Sequence, residues 1–166
     1  MELSLYQVDA FTNKVFGGNP ACVVPLKKWL KNETLLKIAQ ENSVPETAFF
    51  VDTETGFHLR WFTPEIEMDL CGHATLASAF IIKEYLNYSK KEINFKTLSG
   101  TLKVTSKDSL YTLDFPSRDP VEANLPGIIS KAVSIPPVKT FKSRDYVLVY
   151  NNQTDYDVFN LYINVH

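Results

Sequence analysis

Asp69-Leu70-Cys71-Gly72-His73-Ala74-Thr75-Leu76-Ala77-Ser78-Ala79-Phe80 joins a polar, glycine-containing turn to a run that is almost wholly apolar. The run predicts a helix from about His73 to Tyr88. Ala74, Leu76, Ala77, Ala79, Phe80, Ile81 and Ile82 leave no solvent-facing stripe on its first turns. A helix that is apolar all round is buried. Its N-terminus carries backbone N–H groups without intrahelical partners and the positive end of the helix dipole. Such an end at the floor of a cleft suits an anion, and a substrate carboxylate fits it. Cys71 and His73 then stand beside the place where that carboxylate would bind.

Short strands are expected on both sides of this helix. Before it, Leu3 to Phe11 reads as a strand, Gly17-Gly18-Asn19-Pro20 as a turn, and Ala21 to Pro25 as a short apolar strand. Asn32 is placed to cap a helix over Glu33 to Glu41, with Leu35, Leu36 and Ala39 inward. Thr47 to Asp52 and Phe57 to Thr63 read as a hairpin about Thr53 to Gly56. After the helix, Ile93 to Thr97, Leu102 to Val104 and Leu110 to Phe115 alternate like a meander, turned at Gly100 and at Lys107-Asp108. The pattern predicts an α+β lobe: a mostly antiparallel, strongly curved sheet around a central buried helix.

Five prolines between Pro116 and Pro137 mark a change of organisation. The boundary is placed within Pro116 to Pro120, giving a first lobe over residues 1–117. Residues 118–166 then form a linker and the start of a second lobe. A short helix over Pro126 to Val133 and a strand over Asp145 to Tyr150 are expected there. Phe159, Leu161, Ile163 and Val165 alternate with polar residues to His166, a half-buried strand pattern. Such a strand lacks cover in its own lobe and invites a partner strand, the simplest closed form being a two-fold homodimer.

The chain has 166 residues, 45% of them hydrophobic, and a formal net charge of -2. This suits one or two small domains and gives no footprint for nucleic acid. The longest apolar stretch is too short to span a bilayer, and Met1 to Asp9 is not a signal peptide, so no membrane role is expected. Cys22 and Cys71 make no disulfide framework, which suggests a cytoplasmic setting. His58, His73 and His166 show no metal-ligand spacing with either cysteine, and no metal site is expected.

Val8-Asp9-Ala10-Phe11-Thr12, Gly18-Asn19-Pro20-Ala21, Glu46-Thr47-Ala48-Phe49, Arg60-Trp61-Phe62-Thr63-Pro64 and Asp69-Leu70-Cys71-Gly72-His73-Ala74-Thr75 occur in this order. Together they resemble the PhzF-like (phenazine biosynthesis-like) family, relatives of diaminopimelate epimerase and proline racemase. The likeness runs from about Leu3 to Phe115 and continues more weakly through Ser143-Arg144-Asp145-Tyr146-Val147. It implies two similar lobes, each a sheet wrapped around a central helix, with the active site between them and no cofactor or metal. It implies an isomerase that moves a proton on a small carboxylated metabolite. Glu46 would be the general base or acid, with His73 acting beside it. An aspartate and a serine from a later Asp-Pro-Val-Thr-Gly-Ser segment would complete the set. This sequence contains no such segment, and its second lobe is expected to be incomplete. The alternative function is a catalytically incomplete half that binds a ligand or partner.

Each site residue also has a plainer reading. Glu46 is either a buried carboxylate that shuttles a proton or a solvated surface glutamate. His73 either orients substrate and relays a proton or bonds to its own turn; the dipole favours a neutral ring in either case. Cys71, Gly72 and Ala74 are expected to line the substrate site. The resemblance offers Cys71 as a proton-transfer base, but the second cysteine such a mechanism needs has no counterpart here. Cys71 therefore reads as a small packed residue. Asn19, with Pro20, is expected to shape the cleft wall. Glu65, Glu67 and Asp69 read as a solvated acidic loop, Cys22 as a core residue, and Asp9 as a tie between its strand and a neighbouring loop.

Overall fold

The structure is a computed structural model and describes residues 2–157. The chain divides into two compact units, one ending at Phe115 and one beginning at Pro116. In the first unit the elements follow in the order β1 (Tyr6–Ala10), β2 (Asn19–Leu26), α1 (Asn32–Asn42), β3 (Glu46–Thr53), β4 (Gly56–Phe62), β5 (Glu67–Met68), α2 (Gly72–Glu84), β6 (Glu92–Thr97), β7 (Gly100–Lys107) and β8 (Leu110–Asp114). They build one sheet of order β1-β2-β3-β4-β6-β7-β8, with β5 paired to β4. Five junctions are antiparallel. The β2–β3 and β4–β6 junctions are parallel, so the sheet is mixed. Each parallel junction is bridged by a helix, α1 or α2, as parallel neighbours require.

The alternation of each strand decides what it faces. Ala21 and Val23 of β2, Ala48 and Phe50 of β3, Phe57, Leu59 and Trp61 of β4, Ile93 and Phe95 of β6, and Leu102 and Val104 of β7 share one core with α2. The opposite face of β2, β3 and β4 supplies Val24, Leu26, Phe49 and Phe62 to a second core with Leu35 and Ala39 of α1. Strands β2 and β3 are thus buried on both sides. That explains why Ala21 to Pro25 reads as continuously apolar.

Helix α2 packs against β1 and also against β8, at opposite ends of the strand order. With strands about 4.8 Å apart, a flat sheet would hold these ends about 29 Å from one another. A helix is only about 10–12 Å across. The sheet must therefore curl around α2, leaving an open seam between its two edges. Ala74, Ala77, Ala79, Ile81 and Ile82 are buried in this trough. Thr75 and Ser78 are buried too, and their hydroxyls donate to the Cys71 and Ala74 carbonyls one turn back, at 2.5 and 2.7 Å. Those back-bonds let polar side chains sit inside an apolar core.

Two expectations are corrected. Asn32 does not cap α1: Lys31 holds the N-cap position with no side-chain cap bond. The Asn32 Oδ1 accepts from Arg60 instead, at 2.9 Å. Helix α2 ends at Glu84 rather than Tyr88, because Asn87 turns left-handed and the Leu86 and Tyr88 N–H groups close on Ile81 and Ile82.

The second unit contains β9 (Val121–Glu122), α3 (Gly127–Ala132), β10 (Lys139–Lys142), β11 (Tyr146–Val149) and α4 (Gln153–Asp157). Its sheet has the order β11-β10-β9, all antiparallel. The strand expected over 158–165 lies outside the described residues.

Candidate active site at the head of the buried helix

Glu46 is the first residue of β3 and has the parity of Ala48 and Phe50, so its side chain points to the α2 side. Parallel pairing sets Glu46 opposite Ala21. Cys71 is the N-cap residue of α2, and Gly72, His73 and Ala74 form the helix start. The turn before the helix is held by Ser99, whose Oγ donates to the Asp69 carbonyl at 2.8 Å. Strand, turn and helix thereby bring His73 Nε2 to 3.2 Å from Glu46 Oε2, with the side chains 9% and 17% exposed. Glu46 is therefore not a solvated surface glutamate. Nε2 is buried and makes no hydrogen bond of good geometry among the described residues, so the contact is a close electrostatic approach.

On the other edge of the ring, Cys71 Sγ lies 3.5 Å from His73 Nδ1. Thiol, imidazole and carboxylate thus stand in a row. Burial holds His73 below its ordinary value; Glu46 and the Pro20 backbone carbonyl oppose this without overcoming it. The ring is neutral at neutral pH, as expected, but burial is the first cause. Burial also pushes the Cys71 thiol up to about 12, against the Ala74 backbone N–H. Cys71 is therefore a protonated thiol at neutral pH, not a thiolate nucleophile.

One ligand atom from each of Glu46, Cys71 and His73 lies within 4.8 Å of the others. The carboxylate approaches Nε2 and the thiol approaches Nδ1. A ring ligates a single ion through one nitrogen, so partners on both nitrogens suit a proton path better than a cation cage.

The remaining expected site residues divide. Gly72 is half-buried and faces the ring of Phe115, which an added Cβ would meet at 3.7 Å. The Ala74 side chain is wholly buried in the α2 core, so its methyl does not line a site, and only its backbone can. Asn19 opens β2 opposite Ala10 and is half-buried. Cys22 is buried, as expected. Asp9 is a structural tie: its Oδ2 accepts from the Phe16 N–H at 3.2 Å. Glu67 corrects the picture of a solvated acidic loop. Arg60 Nε and Nη2 donate to its two carboxylate oxygens, both at 2.6 Å. Arg60 also lies over the Trp29 and Phe62 rings.

Sequence reasoning did not anticipate the Pro20 carbonyl beside His73, because a backbone group has no signature in the sequence. It also missed a groove of about 930 Å³ along the seam, lined by Val8 to Lys14, Leu76, Phe80, Glu84 and Tyr111 among others. That groove does not include Glu46, Cys71 or His73. Among the described residues no helix is long and apolar enough to cross a membrane.

Residues 8–142 match the family described as phenazine biosynthesis-like protein. A protein of Pseudomonas aeruginosa named an uncharacterized isomerase is 42% identical over 153 residues, which are 92% of this chain and 59% of that protein. The phenazine biosynthesis-like domain-containing protein of Homo sapiens is 40% identical over 124 residues, 70% of this chain and 43% of its own. The crystal structure of a phenazine biosynthesis protein of the PhzF family from Enterococcus faecalis superposes with a TM-score of 0.88 at 39% identity. It covers 97% of this chain and 62% of that one. The chain thus spans about three-fifths of the length of these bacterial relatives.

Proposed function

The chain belongs to the phenazine biosynthesis-like protein family, and on that premise we propose that it is an isomerase-type protein moving a proton on a small carboxylated metabolite without a cofactor. The observation that carries this reading is the 3.2 Å approach of Glu46 and His73 at the head of a buried helix. The substrate carboxylate rests on the Gly72 and His73 N–H groups at the start of α2. The Glu46 carboxylate takes a proton from a substrate carbon and becomes a carboxylic acid. The electron pair left behind delocalises toward the conjugated carboxylate or ring, where a His73 N–H faces the growing negative charge. Glu46 then returns the proton to a second carbon, so protons and charge balance over the cycle.

Solvent-deuterium exchange into a panel of dihydroaromatic acids and amino acids tests the reading. Exchange that disappears in Glu46→Gln supports it, and exchange that survives that change removes Glu46 from the role.

A second reading is a binding half that holds a carboxylate but turns nothing over. It rests on residues 1–166 holding Glu46 and His73 but no Asp-Pro-Val-Thr-Gly-Ser segment. Carboxylate binding with no exchange would select it. We further propose a cytoplasmic homodimer, which light scattering checks; a monomer at all concentrations rejects the dimer.

A further inference from the structure

We propose that Cys71 is a positioning residue: its thiol donates to His73 Nδ1, holding the ring neutral with its proton on Nε2, toward Glu46. This deepens the isomerase reading and rests on it for its catalytic meaning, but the ring state is observable by itself.

The geometry supplies two different partners for the two ring nitrogens. Cys71 Sγ is 3.5 Å from Nδ1, and Glu46 Oε2 is 3.2 Å from Nε2. A neutral imidazole has one proton to place. A carboxylate is a much stronger acceptor than a thiol, so that proton belongs on the Glu46 edge. Nδ1 is left with a lone pair in a buried site, which needs a donor. Cys71 is buried, and its thiol keeps its proton across the neutral range. It can therefore give what Nδ1 needs.

Two consequences follow for the ring. Turning it over would set Cδ2 against the thiol and Cε1 against the carboxylate and lose both contacts, so its orientation is fixed. The thiol proton also occupies the lone pair that a second ring proton would use, which opposes formation of the imidazolium. The other groups facing the ring are Glu46 from β3 and the Pro20 carbonyl from β2, and both favour the imidazolium. Cys71 and burial act together against them. Cys71 thus keeps His73 neutral with its proton on Nε2, on the Glu46 edge, where no described residue takes it in a hydrogen bond of good geometry and substrate bound there can.

The test is nitrogen-15 NMR of the His73 ring in the whole protein, with Cys71→Ala and Cys71→Ser beside the native chain. The native ring should show a protonated Nε2 and a bare Nδ1 at neutral pH. In Cys71→Ala the ionisation of His73 should move to higher pH and the ring signals should report mixed tautomers. Cys71→Ser keeps a donor and should restore the native pattern. Where substrate exchange is measurable, Cys71→Ala should lower kcat/KM by about two- to tenfold, the span of one ordinary hydrogen bond. A native ring protonated on Nδ1 overturns the assignment, as does a Cys71→Ala ring identical to the native one. Both failures are read without activity. An Nε2–H ring in a chain with no exchange supports the assignment and counts against the isomerase reading alone.

Discussion

Glu46 stands opposite Ala21 in the parallel β2–β3 pair, and that register is what turns its carboxylate to the face occupied by α2. A slip of one residue would send Glu46 to the α1 face and out of reach of His73. The candidate site therefore depends on strand pairing as much as on the Gly72-His73 turn.

Aromatic or cyclic carboxylic acids titrated into the protein should shift the backbone amide resonances of Gly72, His73 and Ala74 ahead of others. These N–H groups lie in the first turn of α2, where orphan donors and the helix dipole favour an anion. Raised salt should weaken the effect. Unchanged amides in that turn at saturating acid would remove the carboxylate from this position.

Acidification should destabilise the fold between about pH 7 and 5. His58 and His73 are both held below their ordinary value, chiefly by burial. In the unfolded chain each takes up a proton near pH 6.5. The folded chain resists until lower pH, so in this window the unfolded state binds more protons and stability rises with pH. Urea midpoints measured at both ends should differ in that direction. His58→Gln should flatten part of the slope while keeping an acceptor for the Trp29 Nε1–H, which bonds His58 Nδ1 at 3.1 Å. A midpoint that does not fall on acidification contradicts this account.

Arg60→Lys should cost about 1.5–3 kcal/mol, the range for hydrogen bonds to a charged group. The guanidinium makes two bonds of 2.6 Å to Glu67 with its side chain only 15% exposed. It also bonds Asn32 and lies over Trp29 and Phe62. A lysine keeps the charge but has no planar fork for the carboxylate and does not stack in the same way. Denaturant unfolding of the two proteins measures the difference. A loss under about 0.5 kcal/mol, the usual scatter of surface changes, would place Arg60 among ordinary surface charges.

Gly18→Ala should destabilise by at least about 1–3 kcal/mol. Gly18 holds φ +73°, and an added Cβ would run into the Ala10 carbonyl oxygen and the Thr12 side chain. Phe11 and Phe16 already take left-handed conformations in the same loop, so little slack is available nearby. Thermal unfolding gives the readout, and an unchanged midpoint would show that the loop relaxes freely.

Much of the first unit could be read from residue pattern, because the core side chains obey a period of two on the strands and fill a buried helix between them. Ile93, Phe95, Leu102 and Val104 are all buried where alternation put them. What escaped were competitions between partners. Asn32 has the chemistry of a cap, but the Arg60 guanidinium claims its oxygen. Glu67 looks like a solvated charge until β5 folds it against the same arginine. The parallel β2–β3 pairing leaves no local trace, since both strands are apolar on both faces. At the site, Glu46, Cys71 and His73 were legible as residues, and the structure brings them together. The order of their contacts depends on ring orientation, which no sequence spacing encodes. Ala74 can line the site through its backbone alone, because a helix start presents its backbone and its side chain in different directions.

The trough around α2 has a bearing on how the polypeptide comes to be folded. Its walls are made by strands that precede the helix and by strands that follow it. A chain emerging residue by residue therefore produces its most apolar helix before β6, β7 and β8 exist to complete the core they share with it. Contacts of this kind join distant parts of the sequence and form slowly. A partly synthesised chain is at its stickiest between the completion of α2 and the arrival of Phe115, the interval in which binding by a chaperone would protect it most.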